Sequence, residues 1–313
     1  MQGPRVHYSL SAFGLGVSAD FPLPGADFAP ATRQAFAELR ELSVQMVDPV
    51  ALPSVDGKPR YLRNLQSYDG RAFAMLEGEA GDVLFLYGRS VVFHLSADLQ
   101  VLRCAAPAQG DRSWQRVLMD TVLWTVGLLR GYELLHASAV ETGGSVVAFV
   151  SGMGGGKTSL ALEWIKRGAV LFADDIVALD DRSGALLAYP GPPLMNVPLS
   201  RDGAVPEAET LAQLGDERWV RLDSESPGAA ELSAIVIVRR APGEVARCEP
   251  ITASSLDLLP YAVSLPHLND RDRRRFELFS AVAQTTPILV LAAEPAVPPA
   301  DLADLVEARL ARR

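Results

Sequence analysis

The sequence predicts an α/β chain of mixed α+β character in two parts. An N-terminal β-rich domain covers residues 1–110, and a domain with a mixed sheet flanked by helices covers residues 111–313. Three observations predict it. Residues 60–102 alternate short apolar runs with turn signals at Asp69-Gly70, 79–81 and Gly88, the pattern of a meander. Residues 145–175 read strand, glycine loop, helix, strand. The β-branched run 232–240 and the run 288–291 are separated by helically spaced segments at 254–263 and 271–283.

The chain has 313 residues, 49% hydrophobic and 21% charged, enough to bury a sizeable core. Its net charge of −9 argues against a general nucleic-acid surface. Its two cysteines, Cys104 and Cys248, have neither metal-ligand spacing nor the makings of a disulfide framework, so a reducing cytoplasm is expected. Residues 1–19 lack a basic segment leading into an apolar one, so no signal peptide is expected. The longest apolar stretch, 121–129, is nine residues, too short to span a membrane.

Taken in order, residues 1–25 read as weak strands or an ordered arm. Residues 31–47 have helical spacing through Phe36, Leu39, Leu42 and Met46. Strands follow at 71–77, 83–87 and 90–95, and 104–113 is a polar linker. Residues 114–130 form a helix apolar almost all round, hence buried. Its tryptophans suit core packing better than base stacking. The lone histidines His7 and His94 read as structural. A strand near 132–140 is expected to pair with 146–150 through the turn at 142–144, which sets His136 beside the glycine loop. After the second strand of that unit, 176–179 and 185–189 form a hairpin with Asp180-Asp181 solvated on its turn. Residues 190–198 (PGPPLMNVP) read as irregular, 200–215 as helix and loop, 219–223 as a short strand and 298–313 as a helix. The charge run 270–275 reads as a solvated helix face or as the source of a phosphate-clamping arginine.

The chemistry concentrates in 145–175. Four of the five residues Gly152, Met153, Gly154, Gly155 and Gly156 are glycine, and Lys157, Thr158 and Ser159 open the helix that follows. Glycines let the backbone curl round a phosphate with successive N–H groups aimed at it. The helix N-terminus adds partial positive charge. Lys157 is placed to reach β- and γ-phosphates, and the Thr158 hydroxyl to ligate Mg²⁺. Asp174 and Asp175, at the end of the next strand, supply the carboxylate that completes such a metal site. Ser151 stands where the G-x-x-x-x-G-K-[ST] pattern begins with glycine.

Three features at 135–187 resemble the HPr kinase/phosphorylase superfamily. They are a histidine on the strand before the loop (LLHASAV), the compact loop GGGKTS, and a strand ending LFADD followed at once by IVAL. The N-terminal part and the helix leading into GYELLHASAV look like the HPr-kinase-like proteins of bacterial biosynthetic clusters, some of which modify peptides, lasso peptides among them, on a serine hydroxyl. The resemblance implies a P-loop kinase fold and an ATP- and Mg²⁺-dependent transfer of phosphate to a hydroxyl, with a peptide or small protein as acceptor. It is compatible with a homo-oligomer, while the net charge and the lack of a long apolar run argue against nucleic-acid and membrane partners. It makes Lys157 the phosphate-binding lysine, Thr158 the magnesium-binding residue and His136 the histidine near the γ-phosphate. Asp174 and Asp175 become the acidic pair for metal binding and general-base work, with Asp175 expected to meet the acceptor hydroxyl. The Gly-rich segment with a metal-binding Glu that follows the hairpin in true HPr kinases is missing, so neither HPr as substrate nor the phosphorylase reaction carries over. Two other classes stay open: a kinase for a sugar, polyol or amino acid, and a nucleotide-binding accessory or regulatory protein without transfer activity.

Overall fold

A computed structural model describes residues 7–26, 39–52, 60–67, 70–78, 80–107, 113–199, 208–223, 227–265 and 271–312. The N-terminal strands form one sheet in the spatial order Tyr8–Ala12, Leu15–Ala19, Arg40–Met46, Val101–Ala105, Val91–Leu95, Val83–Tyr87, Ala72–Glu77, Arg60–Gln66. The first hairpin turns at Phe13 and Gly14, whose φ values of +55° and +77° are those a two-residue hairpin loop requires. A Cβ on Gly14 would sit 2.2 Å from the ring of Tyr132, so the turn packs directly on the segment that leads into Glu133–Thr142.

Residues 40–46 overturn the expected helix. Arg40–Met46 is a strand running parallel to both Leu15–Ala19 and Val101–Ala105. Leu42 and Val44 point inward and are buried. The spacing of Leu39, Leu42 and Met46 fits a helix, but the alternation of Leu42 with Val44 fits a half-buried strand, and pairing on both edges decides between them. The rest of that expected helix, 31–38, lies outside the described residues.

The helix at 113–129 covers the sheet. Val117, Leu118, Val122 and Leu123 share one apolar cluster with Leu42, Phe85, Phe93 and Leu102. Trp114 and Trp124 are buried in it, as core packing requires. His94 is likewise buried, its Nε2 3.0 Å from Asp82, while His7 is exposed.

The second sheet is built round Glu133–Thr142. Ser145–Val150 returns antiparallel beside it, with Val150 opposite Ala137. Ser145–Val150 also runs parallel to Ala230–Arg240, which runs parallel to Ile288–Ala293. Such parallel strands are covered on both faces. Val147 and Phe149 pack on Leu160, Trp164 and Leu302, from the helices Lys157–Lys166 and Pro299–Leu310. Val146, Ala148 and Val150 pack on the opposite side, with Leu258, Leu278 and Phe279 from Ser255–Leu258 and Asp272–Thr285. Each such large apolar side chain withdrawn from water stabilises the fold by about 1.5–3 kcal/mol.

A three-stranded sheet, Leu194–Pro198, Glu217–Leu222 and Ala208–Leu214, corrects two expectations. The proline-rich 194–198 is a regular edge strand, since Pro198 ends it and its neighbours keep their N–H groups for pairing. Residues 208–214 are strand rather than helix and loop, and 200–207 lie outside the described residues. The hairpin turn is corrected too. Asp180 is the last residue of Ile176–Asp180 and is buried, its carboxylate 2.6 Å from the Arg182 guanidinium and also paired with Arg274. Among the described residues no helix is long and apolar enough to cross a membrane.

Candidate functional site

The site forms where one strand becomes two. Glu133–Thr142 is paired along one edge first by Val170–Ala173 and then by Ile176–Asp180. Asp174 and Asp175 fill the break, opposite Ala137. The Ala137 N–H donates to the Asp175 carbonyl at 3.0 Å, and the Ile176 N–H to the Asp174 carbonyl at 3.0 Å. The second bond closes a γ-turn on Asp175, whose φ is +72°. For a residue with a side chain that conformation is strained, and such strain clusters at working sites.

The break aims both carboxylates at side chains of the unbroken strand. His136 and Ser138, two residues apart, share one face. His136 Nε2 lies 2.9 Å from Asp175 Oδ1. Ser138 Oγ donates to Asp174 Oδ1 at 2.7 Å, and Thr158 Oγ1 donates to the same oxygen at 3.1 Å. The other oxygen, Asp174 Oδ2, accepts from the Asn196 N–H at 2.9 Å. Burial raises the Asp174 carboxyl above its ordinary range, and Asp175 adds to it, against these three hydrogen bonds. For Asp175 the surrounding protein raises the value, although 58% of the side chain is open. The hydrogen bond and charge of His136, followed by Lys157 and Arg116, outweigh that and hold the group low.

The glycine loop lies at the end of Ser145–Val150. Gly154 and Gly156 have φ of +72° and +97°, which only glycine adopts freely. Gly156 is the N-cap of Lys157–Lys166 and offers no side-chain bond, so the first N–H groups of that helix are left for an anion. A Cβ on Gly155 would lie 2.4 Å from Ser151 Oγ. Ser151 is buried and donates its hydroxyl to the Gly152 carbonyl at 2.9 Å, so it closes the base of the loop. Gly152, Met153 and Gly154 form its exposed crest, and Ser159 is half-buried in the first helical turn.

Lys157 is buried. Burial lowers its pKa, against the pull of Asp175 and Asp174. His136, Lys157, Thr158, Asp174 and Asp175 therefore stand together. The run at 271–275 does not join them. Arg271 and Arg275 bond the fully buried Glu133 at 2.6 and 3.1 Å, Arg274 bonds Asp181, and Arg273 reaches Glu277 on the exposed face.

Four residues of this neighbourhood escape a reading of the sequence. Ser138 is signalled only by its place two residues after His136. Asn196 comes from the proline-rich strand. Arg116 and Asp120 come from the helix that reads as apolar almost all round; Arg116 acts electrostatically on Asp175, and Asp120 feels both Asp175 and Asp174.

No family model matches the sequence, and no curated protein matches it. Among solved structures, the chain is similar to the HPr(Ser) kinase/phosphatase from Coxiella burnetii, with 13% identity over 57% of this chain and 97% of that one and a TM-score of 0.31.

Proposed function

We propose that this chain is an ATP- and Mg²⁺-dependent kinase that transfers the γ-phosphoryl group to a hydroxyl, with serine of a peptide or small protein as acceptor. One observation carries the reading. The hydroxyl opening the loop helix, on Thr158, meets the carboxylate of Asp174, while the adjacent Asp175 turns toward His136.

The donor set suits magnesium. Among the described residues no cluster of three or more His, Cys, Asp or Glu side chains is arranged to hold a metal by itself. Mg²⁺ needs no such cage, because it takes one or two protein oxygens and fills its octahedron with phosphates and water. Thr158 and Asp174 are the hard oxygens that would hold it. When bound, Mg²⁺ draws charge from the phosphate oxygens.

The chain's own groups do the rest. Loop N–H groups and the uncapped helix start bind the phosphates. Lys157, partly withdrawn from water, neutralises the oxygens on which charge gathers. Ser138 and Asn196 fix the direction of Asp174. Asp175, kept ionised and oriented by His136, accepts the proton of the attacking hydroxyl. Positioning and electrostatics are what phosphoryl transfer asks of a protein. The N-terminal β-rich part, residues 1–110, helps to choose the acceptor.

The test is transfer of labelled γ-phosphate by wild type and by Lys157→Ala and Lys157→Arg. The alanine variant is expected to lose activity by about 10² or more, the scale of losing one charge-stabilising donor. Unchanged transfer would falsify the assignment. Tight binding of ATP and Mg²⁺ with no transfer to any hydroxyl would favour the regulatory class instead.

A further inference from the structure

The helix at 113–129 is not uniformly α-helical. Leu118–Val122 is a π-helical turn, and Asp120 lies at its centre. Single π turns inside helices are frequent at functional sites. Here the turn presents one carboxylate in a defined way. Asp120 Oδ2 accepts from Arg116 Nε at 3.1 Å. Arg116 is buried and reaches on to Glu217 Oε2 at 3.2 Å, on the three-stranded sheet that also supplies Asn196 to Asp174. The main-chain carbonyl of Asp120 accepts from the Trp124 indole. The carboxylate is thus fixed from behind. Its Oδ1 accepts no hydrogen bond from any described residue, and 22% of the side chain is open.

Asp120 has no hydrogen bond to Asp174 or Asp175 but lies close enough to feel both charges. Val122 and Leu123 of the same helix pack in one cluster with Ile176, the residue after Asp175, so three carboxylates gather on this side of the site. A carboxylate or phosphate on the acceptor would be repelled there, while an N–H donor would find an anchored oxygen ready for it. We propose that Asp120 is a specificity-determining residue that takes an N–H donor beside the acceptor hydroxyl, the ammonium of an amino alcohol or the amide of a peptide serine, and so excludes anionic acceptors. This rests on the kinase reading above.

The test, run at a pH above about 7 so that Asp120 is ionised, follows label from γ-labelled ATP into serinamide, D-glycerate and a pool of capped pentapeptides with central serine, using wild type, Asp120→Asn and Asp120→Ala. Wild type is expected to favour serinamide or the peptides over glycerate. Both variants are expected to raise the KM for the N–H acceptor by about tenfold or more, the worth of one charged hydrogen bond, with ATP affinity held. Their preference over glycerate narrows. A purely structural Arg116–Asp120 pair would instead weaken ATP and every acceptor alike, and that result overturns the inference. So does an unchanged acceptor KM in both variants, or a wild type that prefers glycerate; the wild-type comparison decides even where Asp120→Ala does not fold. Wild type that binds ATP yet labels none of the acceptors removes the kinase reading itself, and this inference with it.

Discussion

The hydroxyl of Thr158 donates to Asp174 across 3.1 Å, joining the first turn of the loop helix to the break in the neighbouring strand. Asp174 also accepts from Ser138 and from the Asn196 N–H, so its direction is set before any ligand arrives. The expected consequence is a magnesium-dependent stabilisation that needs this pair. With ATP and Mg²⁺ at a hundred times Kd, wild type gains about 2.7 kcal/mol. In Thr158→Val and Asp174→Asn, melting curves with and without EDTA should coincide. A magnesium increment as large in the variants as in wild type contradicts the assignment.

Gly155 and Ser151 are predicted to behave as one unit. Alanine at 155 would put its Cβ 2.5 Å from the Ser151 Cβ and 2.4 Å from its Oγ. The loop must shift, and ATP affinity in Gly155→Ala is expected to fall about tenfold or more, as one lost charge-assisted bond would cause. Adding Ser151→Gly removes both clashing atoms and should restore most of the loss, so the pair is non-additive. Equal affinity in the single and double variants, by calorimetric titration, would show that the two do not meet.

Asp175→Gly should separate stability from activity. The γ-turn at φ +72° stores about 1–3 kcal/mol of strain, which glycine releases. Against this stand the ion pair with His136, worth about 0–1 kcal/mol because both side chains are more than a third open, and the greater freedom of unfolded glycine, about 0.4–1 kcal/mol. At the middle of these ranges the strain, about 2 kcal/mol, exceeds the opposing sum of about 1.2 kcal/mol. The melting temperature is expected to hold or rise while transfer is lost. A drop of many degrees would mean that Asp175 serves the fold rather than the reaction.

Asp120 should make stability fall as pH rises. Burial pushes its carboxyl up to about 7, Arg116 pulls it down, and Asp175 and Asp174 push it up further. The folded value thus exceeds the unfolded one of about 3.9. Between those values the folded chain holds a proton that the unfolded chain does not, so rising pH favours unfolding through this window and the loss levels off above it. Relative to Asp120→Asn, wild type is expected to weaken between pH 5 and 7.5, by at most about 1.4 kcal/mol per unit. Urea titrations at three pH values measure it; a constant difference between the two proteins rules the shift out.

The nucleotide half of the candidate site is legible because its information is local. Gly154, Gly156, Lys157 and Thr158 follow one another, and left-handed φ values with a helix start are properties of adjacent residues. His136 is legible through one hairpin, whose turn at Gly143-Gly144 places Ala137 opposite Val150. Asn196 is not, because its strand exists only through pairing with Glu217–Leu222, and prolines on either side hide it. Arg40–Met46 is misread for a related reason. Its apolar spacing suits two periodicities, and strands on both edges choose between them.

By itself the sequence determined that a glycine loop feeds a helix at Lys157, that an acidic pair ends the following strand, and that a β-rich segment precedes them. Only the tertiary structure decided which oxygens converge. It made Asp174 the meeting point of Ser138, Thr158 and Asn196, turned Asp175 toward His136, buried Lys157, sent Arg271 and Arg275 to Glu133, and brought Asp120 from a helix that reads as plain core. The reason is physical. Backbone preferences act between neighbours in the chain, whereas hydrogen bonds and charges act between neighbours in space, and strand register sets those only once distant segments have paired.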